Sequence, residues 1–404
     1  MAQQTASEVP PHVKPEQVLD FDIFLDPNLL ADPHKGYKAL HGKAPEIFYT
    51  PRNGGHWVIT RFDLMTTVLR DTVHFSNREL TIPKSNSAHT MIPLNLDPPD
   101  HAPYRAMLMR NFFGLKSIQA MEGTLRAKAG ALIDRVASQG HCDFAEELGA
   151  TFPVSVFMEV MGMPFERFEE FRAIANEYFS PIPNERYLEL QDQIFEIITA
   201  LIEDRRANPG NDLVSKLLRD TVRGKPLTMA ELQSIGFLLF LAGLDTVANA
   251  LTFAFRHLAS DPALQRRLLA EPQRTSDFVE ESLRCYGVVH QTRIVKKDIE
   301  IAGAHFHEGD MVQCALPLAG LDERKNPDPL KFDIDRKNRE HITFSSGPHI
   351  CLGNLLARAE MRIFTEEWLK RIPPFSIVPD AKLDWRAGSV MSLNTLPLQW
   401  PDNT

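Results

Sequence analysis

Cys351 stands in the segment FSSGPHICLG, residues 344–353, where a loop rich in Gly, Pro and Ser runs into an amphipathic stretch. A thiol at such a junction meets unpaired backbone N–H groups and the positive end of a helix, which favour the thiolate. A thiolate is either a nucleophile or a metal ligand. As a nucleophile it would need a base and a third, orienting group. His349 is two residues away, but nearness in sequence makes no ion pair. As an iron ligand it would need a loop that lets a flat macrocycle approach the backbone, which Gly347 and Gly353 would permit, with Phe344 shielding the sulfur.

Three further groups of residues could do chemistry with it. Glu281 and Arg284 are spaced to share one helix face, which by itself describes an ordinary surface ion pair. Ala242-Gly243-Leu244-Asp245-Thr246 puts an acid and a hydroxyl in the middle of an apolar run, and such local conflicts often mark function. His101 and Arg105 lie one helical turn apart, a pair suited to an acidic group.

The elements that must carry these residues follow from periodicity. Apolar spacing of three and four predicts helices over 118–138, 164–179 and 187–206, broken at Gly140, Pro181 to Pro183 and Pro209-Gly210. Thr228 and Glu231 form a capping box, with Leu227 placed to staple against Leu232. The helix they start runs to about Ser260, a span on the order of 50 Å at 1.5 Å per residue. Its stretch 235–255 is long enough for a bilayer, but Asp245 and Asn249 would be costly in lipid, so a buried central helix is expected. Helices over 270–286 and 352–371 bracket β-forming runs at 293–295, 299–301 and 311–313, and an earlier strand at 56–60 precedes a helix at 62–71. The fold class is therefore mainly α with a minor β region.

Composition sets outer limits. The 404 residues carry a net charge of −9, which disfavours nucleic acid or anionic membrane as partner. No two of the four cysteines have zinc-ribbon spacing, so Cys142, Cys285 and Cys314 read as small buried hydrophobes in a reducing cytoplasm. The polar N-terminus, residues 1–17, lacks the features of a signal peptide. No repeat or linker divides the rest, so 1–404 reads as one domain.

The segment FSSGPHICLG matches FxxGxxxCxG at each fixed position, and the chain thereby resembles the cytochrome P-450 family of heme-thiolate monooxygenases. The other motifs agree in order: ExxR at Glu281 and Arg284, [AG]Gx[DE]T at 242–246 and HxxxR at His101 and Arg105. The resemblance implies heme b with Cys351 as the metal ligand, and Glu281 and Arg284 as a buried structural pair joined by Arg336. It also implies propionate contacts from His101, Arg105, Arg293 and His349. Ala242 and Gly243 would give room above the iron, with Asp245 and Thr246 catalytic in oxygen activation and proton relay.

Within the family the chain is similar to the soluble bacterial camphor 5-monooxygenase branch over nearly its whole length, including NGGHW at 53–57, GLDER at 320–324 and RIP at 371–373. That implies a small hydrophobic substrate, O2, a monomer, and electrons from a separate ferredoxin with its reductase, docking near Arg105, Arg110, Arg358 and Arg362. Where the camphor enzyme has a tyrosine that holds the substrate carbonyl, this chain has His89, and Gln291 replaces an aspartate. A terpenoid or norisoprenoid resembling ionone is therefore expected ahead of camphor. His89, Leu238, Leu241, Leu244, Val289 and Val390 are the expected pocket. A heme sensor or gas carrier would keep Cys351 but need no Asp245 and Thr246, and a thiol hydrolase would need no heme.

Overall fold

The computed structural model describes residues 6–85, 87 and 89–401. Helices dominate, and two hydrophobic clusters form beneath them. The larger joins the long helices from Leu115 onward, and the smaller lies under the main sheet near the N-terminus.

That sheet has five strands in the spatial order Ile47–Thr50, His56–Ile59, Met311–Cys314, Gln291–Val295, Phe75–Ser76. The first two form a hairpin whose turn places Asn53, Gly54 and Gly55 at positive φ. At Gly55 a Cβ would lie 2.2 Å from the Tyr49 hydroxyl, so only glycine fits. Strand Met311–Cys314 pairs parallel with one neighbour and antiparallel with the other, setting Val312 between Trp57 and Arg293. This register carries Arg293 into the interior from a strand that reads as ordinary β sequence.

The capping box at Thr228 and Glu231 forms as expected, with both reciprocal hydrogen bonds present. The helix it starts does not run unbroken to Ser260. It divides into Met229–Leu244 and Thr246–Ala259 around Asp245, which takes non-helical angles of φ −133° and ψ −39°. Two side-chain bonds account for the break. Thr246 Oγ1 donates to the Ala242 carbonyl at 3.1 Å within the interrupted turn, while Arg386 holds the Asp245 carboxylate at 2.6 Å. The stretch Met229–Ala259 is apolar and long enough to cross a membrane, yet 67% of its most apolar window is buried inside the protein. It forms the centre of the larger cluster.

The helix Asn354–Arg371 packs along Leu115–Asp134. Arg126 joins them by reaching Glu366 and Glu367, and Arg362 does so by reaching Glu122. Thr275–Cys285 is shorter than the expected 270–286 because Pro272 opens a separate short turn before it. The N-terminal segment is tied down where it is described: Ser7 N bonds Pro51 O, and His12 Nε2 meets Asp310.

Candidate functional site

The cysteine loop is held from three sides. Cys351 N donates to Phe344 O at 2.8 Å, closing the loop on itself. Ser345, at a positive φ of 71°, turns its hydroxyl to Gln291 Oε1 at 2.6 Å, and Arg70 Nε reaches Ser346 Oγ at 2.8 Å. Arg358 lies over the Phe344 ring at 4.5 Å and is fixed in turn by Glu280.

Cys351 has exposed surface, yet desolvation is the largest influence on its thiol and pushes the pKa up. The two observations fit a side chain that opens into a recess walled by protein. Against burial act the backbone N–H of Gly353 and the charges of Arg105 and Arg358, all of which favour the thiolate. The other three cysteines are buried, as expected.

Glu281 and Arg284 form a fully buried bidentate pair at 2.7 and 2.9 Å. Arg284 also donates to the carbonyls of Gly320, Pro329 and Lys331. Arg336 reaches Glu281 Oε1 at 3.3 Å, as the resemblance implies, and Arg339 approaches Oε2 at 3.8 Å as a fourth member that motif reading missed. The pair therefore pins the segment 320–336 to the helix that precedes the cysteine loop.

A second buried group has no such partner. His101, Arg105, Arg293 and His349 come together, with the two imidazole rings 4.9 Å apart. Among the described residues Arg293 donates only to Thr292 O and Gln291 Oε1, and burial lowers its pKa to about 10. Burial likewise lowers Arg105 and brings His349 down to about 3. Among the described residues neither Arg105 nor Arg293 has a carboxylate within ion-pair distance, and His101 Nδ1 is buried without a partner. Two desolvated guanidiniums without counter-charge are costly alone and suit a dianionic ligand.

Glycine packing separates two expectations. A Cβ at Gly353 would meet only Cys351 Sγ, at 3.9 Å, so no protein atom demands glycine there and the space beside the sulfur is kept open. A Cβ at Gly243 would lie 2.3 Å from the Phe157 ring. Gly243 was expected to give room above the iron; its hydrogen face instead lets the helix pack against Thr151–Met161.

Ala242 and Thr246 lie on the wall of a cavity of about 610 Å3, within the range of small-molecule sites. Leu238, Leu241, Val289 and Val390 line it as expected, the last two brought together by a β-bridge between them. Leu244 is buried in the core and His89 lies outside the lining. His89 turns instead to Asp192, 2.8 Å away, and stacks on Phe195 at 3.9 Å between centroids. The loop itself borders the cavity through Ser85 and Met91, while the helix Asn184–Ala207 draws the His89 side chain away. Cys351 and the four nitrogen donors are not part of this lining, whereas Gln291 and Thr292 are.

Of the expected basic contacts, three are already paired: Arg110 with Asp220, Arg358 with Glu280, and Arg362 with Glu122 and Glu366.

A family model described as Cytochrome P450 matches residues 30–381. The chain belongs to the cytochrome P450 family. This P450 is 35% identical over 402 residues to "Probable cytochrome P450 127A1" of Sinorhizobium fredii, with 97% of each chain covered. It is 38% identical to CYP101J2, whose solved structure matches with a TM-score of 0.89 over 98% of this chain and all of that one. CYP101C1, at 30% identity, gives the same score and coverage. Both likenesses agree with the resemblance to the camphor-monooxygenase branch. The P450 is thus a monooxygenase whose cofactor is protoheme IX, and the cysteine recess with its uncompensated cations fits that dianionic macrocycle.

Proposed function

We propose that this P450 hydroxylates a small hydrophobic terpenoid or norisoprenoid, ionone-like in size, using electrons from a separate ferredoxin and its reductase. The observation that carries the substrate class is the mostly apolar cavity that ends on Ala242 and Thr246. Camphor is the second candidate, disfavoured because His89, which stands where the camphor enzyme has its carbonyl-binding tyrosine, is taken up by Asp192. The ferredoxin, a cytoplasmic setting, a monomeric state and a single functional domain rest on the resemblance to the soluble bacterial branch.

In this reading Cys351 Sγ would be the thiolate that holds the heme iron, with Phe344 and Gly353 flanking it, and His101, Arg105, Arg293 and His349 would hold the propionates. When bound, the heme activates dioxygen and delivers one oxygen atom to a substrate C–H bond. The apolar residues Leu238, Leu241, Val289 and Val390 orient the substrate and exclude water. Thr246 Oγ1, at the cavity wall and resting on the Ala242 carbonyl, can hold and pass a proton. Asp245, buried and ion-paired with Arg386 beside Thr246 at the break in the helix, is the residue that would relay protons toward Thr246, taking up each one before passing it on.

Titrating the purified holoprotein with terpenoids and norisoprenoids, and following the Soret band, tests the substrate class. Ionone-like compounds should give the fullest shift. A full shift with camphor and none with ionones would overturn the preference, and product formation with ferredoxin, reductase and NADH separates an enzyme from a heme sensor.

A further inference from the structure

The cavity roof holds a polar pair outside the family motifs. Tyr178 closes the helix Phe168–Tyr178, Tyr187 lies in the first turn of Asn184–Ala207, and both line the cavity. Their rings are 4.6 Å apart and their hydroxyls are hydrogen-bonded to each other. Gln191 Nε2 donates to Tyr178 Oη at 3.4 Å, while Gln191 Oε1 is taken by Ser87 Oγ.

Counting protons gives a remainder. Two phenols carry two protons, and one serves the bond between them. Gln191 reaches both phenols but as a donor, so whichever tyrosine donates, the other proton has no hydrogen-bonded acceptor among the described residues. Glu79 acts on both hydroxyls through its charge alone: it is hydrogen-bonded to neither, and its Oε1 turns back to Leu80 N, Thr81 N and Thr81 Oγ1. Burial pushes Tyr178 up to about 12 and Tyr187 well above its usual range, so both remain protonated donors. A donor left unspent against Leu238, Leu241 and Ile182 is costly unless the occupant of the cavity brings an acceptor. No Lys or Arg lines the cavity among the described residues, so that acceptor is neutral rather than a carboxylate.

We propose that the paired hydroxyls of Tyr178 and Tyr187 anchor the substrate, donating a hydrogen bond to a carbonyl or hydroxyl oxygen and so selecting a terpenoid ketone or alcohol over its parent hydrocarbon. The inference rests on the monooxygenase reading and narrows its substrate class. It moves the polar anchor from the loop that carries His89 to the junction of two roof helices.

The test compares holo wild type, Tyr178→Phe, Tyr187→Phe and the double variant. Each is titrated with camphor and ionone and with the matched hydrocarbons in which C=O is replaced by CH2, following the Soret shift. The double variant should bind the ketones about fivefold more weakly, with hydrocarbon affinity unchanged, as expected for one neutral hydrogen bond. Each single variant keeps one phenolic proton and should lose less. An unchanged ketone-to-hydrocarbon ratio in the double variant would overturn the proposal. So would an equal fall for both ligand types, which would make the pair a tie between helices, or a wild type that responds to no ketone. The carbon-monoxide spectrum of the same reduced proteins separates this from the parent reading. A red-shifted Soret band keeps the monooxygenase assignment whatever the tyrosines do, and its absence in wild type would remove that assignment independently.

Discussion

On the cysteine side, Glu281 alone receives Arg284, Arg336 and the backbone N–H of Asp333, and Arg284 spends its remaining donors on three carbonyls. Across the cavity the roof is joined more thinly: a single file of bonds runs from Ser87 through Gln191 and Tyr178 to Tyr187, and Thr90 to Ser234 and His89 to Asp192 stand beside it. The first region is a buried, multiply connected network in which removing one member strands the rest. The second has no member with more than two such partners, and one of its bonds joins a quarter-exposed His89 to a largely exposed Asp192. Chemistry common to a family needs fixed geometry, and a pocket that changes its substrate needs a wall that can be rewritten one side chain at a time.

The comparison breaks if the two regions respond alike to mutation. Glu281→Ala should have the largest effect, costing about 3 to 5 kcal/mol by leaving the Arg284 charge buried and unpaired. Denaturant unfolding measures this directly, and heme retention should fall with it. Arg386→Ala, which leaves the Asp245 carboxylate buried without its partner, should cost about 3 kcal/mol in the same assay. His89→Ala should stay within about 1 kcal/mol, as expected for an exposed pair. A loss for His89→Ala as large as that for Glu281→Ala would erase the distinction between the regions.

Two measurements sharpen it further. Thr246→Ala should leave folding and heme content intact while NADH consumption runs ahead of product; unchanged coupling would remove Thr246 from proton delivery. Glu280 contributes a pH-dependent increment to the cysteine side. Burial would raise its pKa, but hydrogen bonds from His341 and Arg358 win and hold it at about 2. A lowered carboxylate pKa stabilises above the unfolded value of 4.5 and loses that contribution as pH falls toward 2. With a third of its side chain exposed, Glu280→Gln should cost about 1 kcal/mol at neutral pH. The difference from wild type should shrink between pH 4.5 and 2, and a pH-independent difference would rule out the ion pair as its source.

The same contrast explains what was legible in the sequence. Cys351, Glu281 and Arg284 sit in short motifs because their partners are backbone groups or residues at fixed offsets, so a linear pattern records the geometry. Arg336 followed from resemblance, whereas Arg339 has no motif and reaches Glu281 only through the fold of the segment 320–339. The central helix was visible from its capping box and apolar run. Its break at Asp245 was not, because the pull comes from Arg386, 141 positions away. Gly243 lies in a motif, but its hydrogen is needed by Phe157, a neighbour that periodicity cannot name. For His89, the resemblance names a position in the chain, while the side-chain direction is decided by Asp192 and Phe195 on a helix about a hundred residues away.

Cys351 is the residue proposed to hold the heme as its thiolate, and the reduced carbon-monoxide spectrum tests that role most directly. Wild-type protein should show the strongly red-shifted Soret band of a thiolate-bound heme, and Cys351→His, if it keeps heme at all, should lack it. A wild-type spectrum of the ordinary histidine-bound kind, or a red-shifted band that survives in Cys351→His, would contradict the assignment.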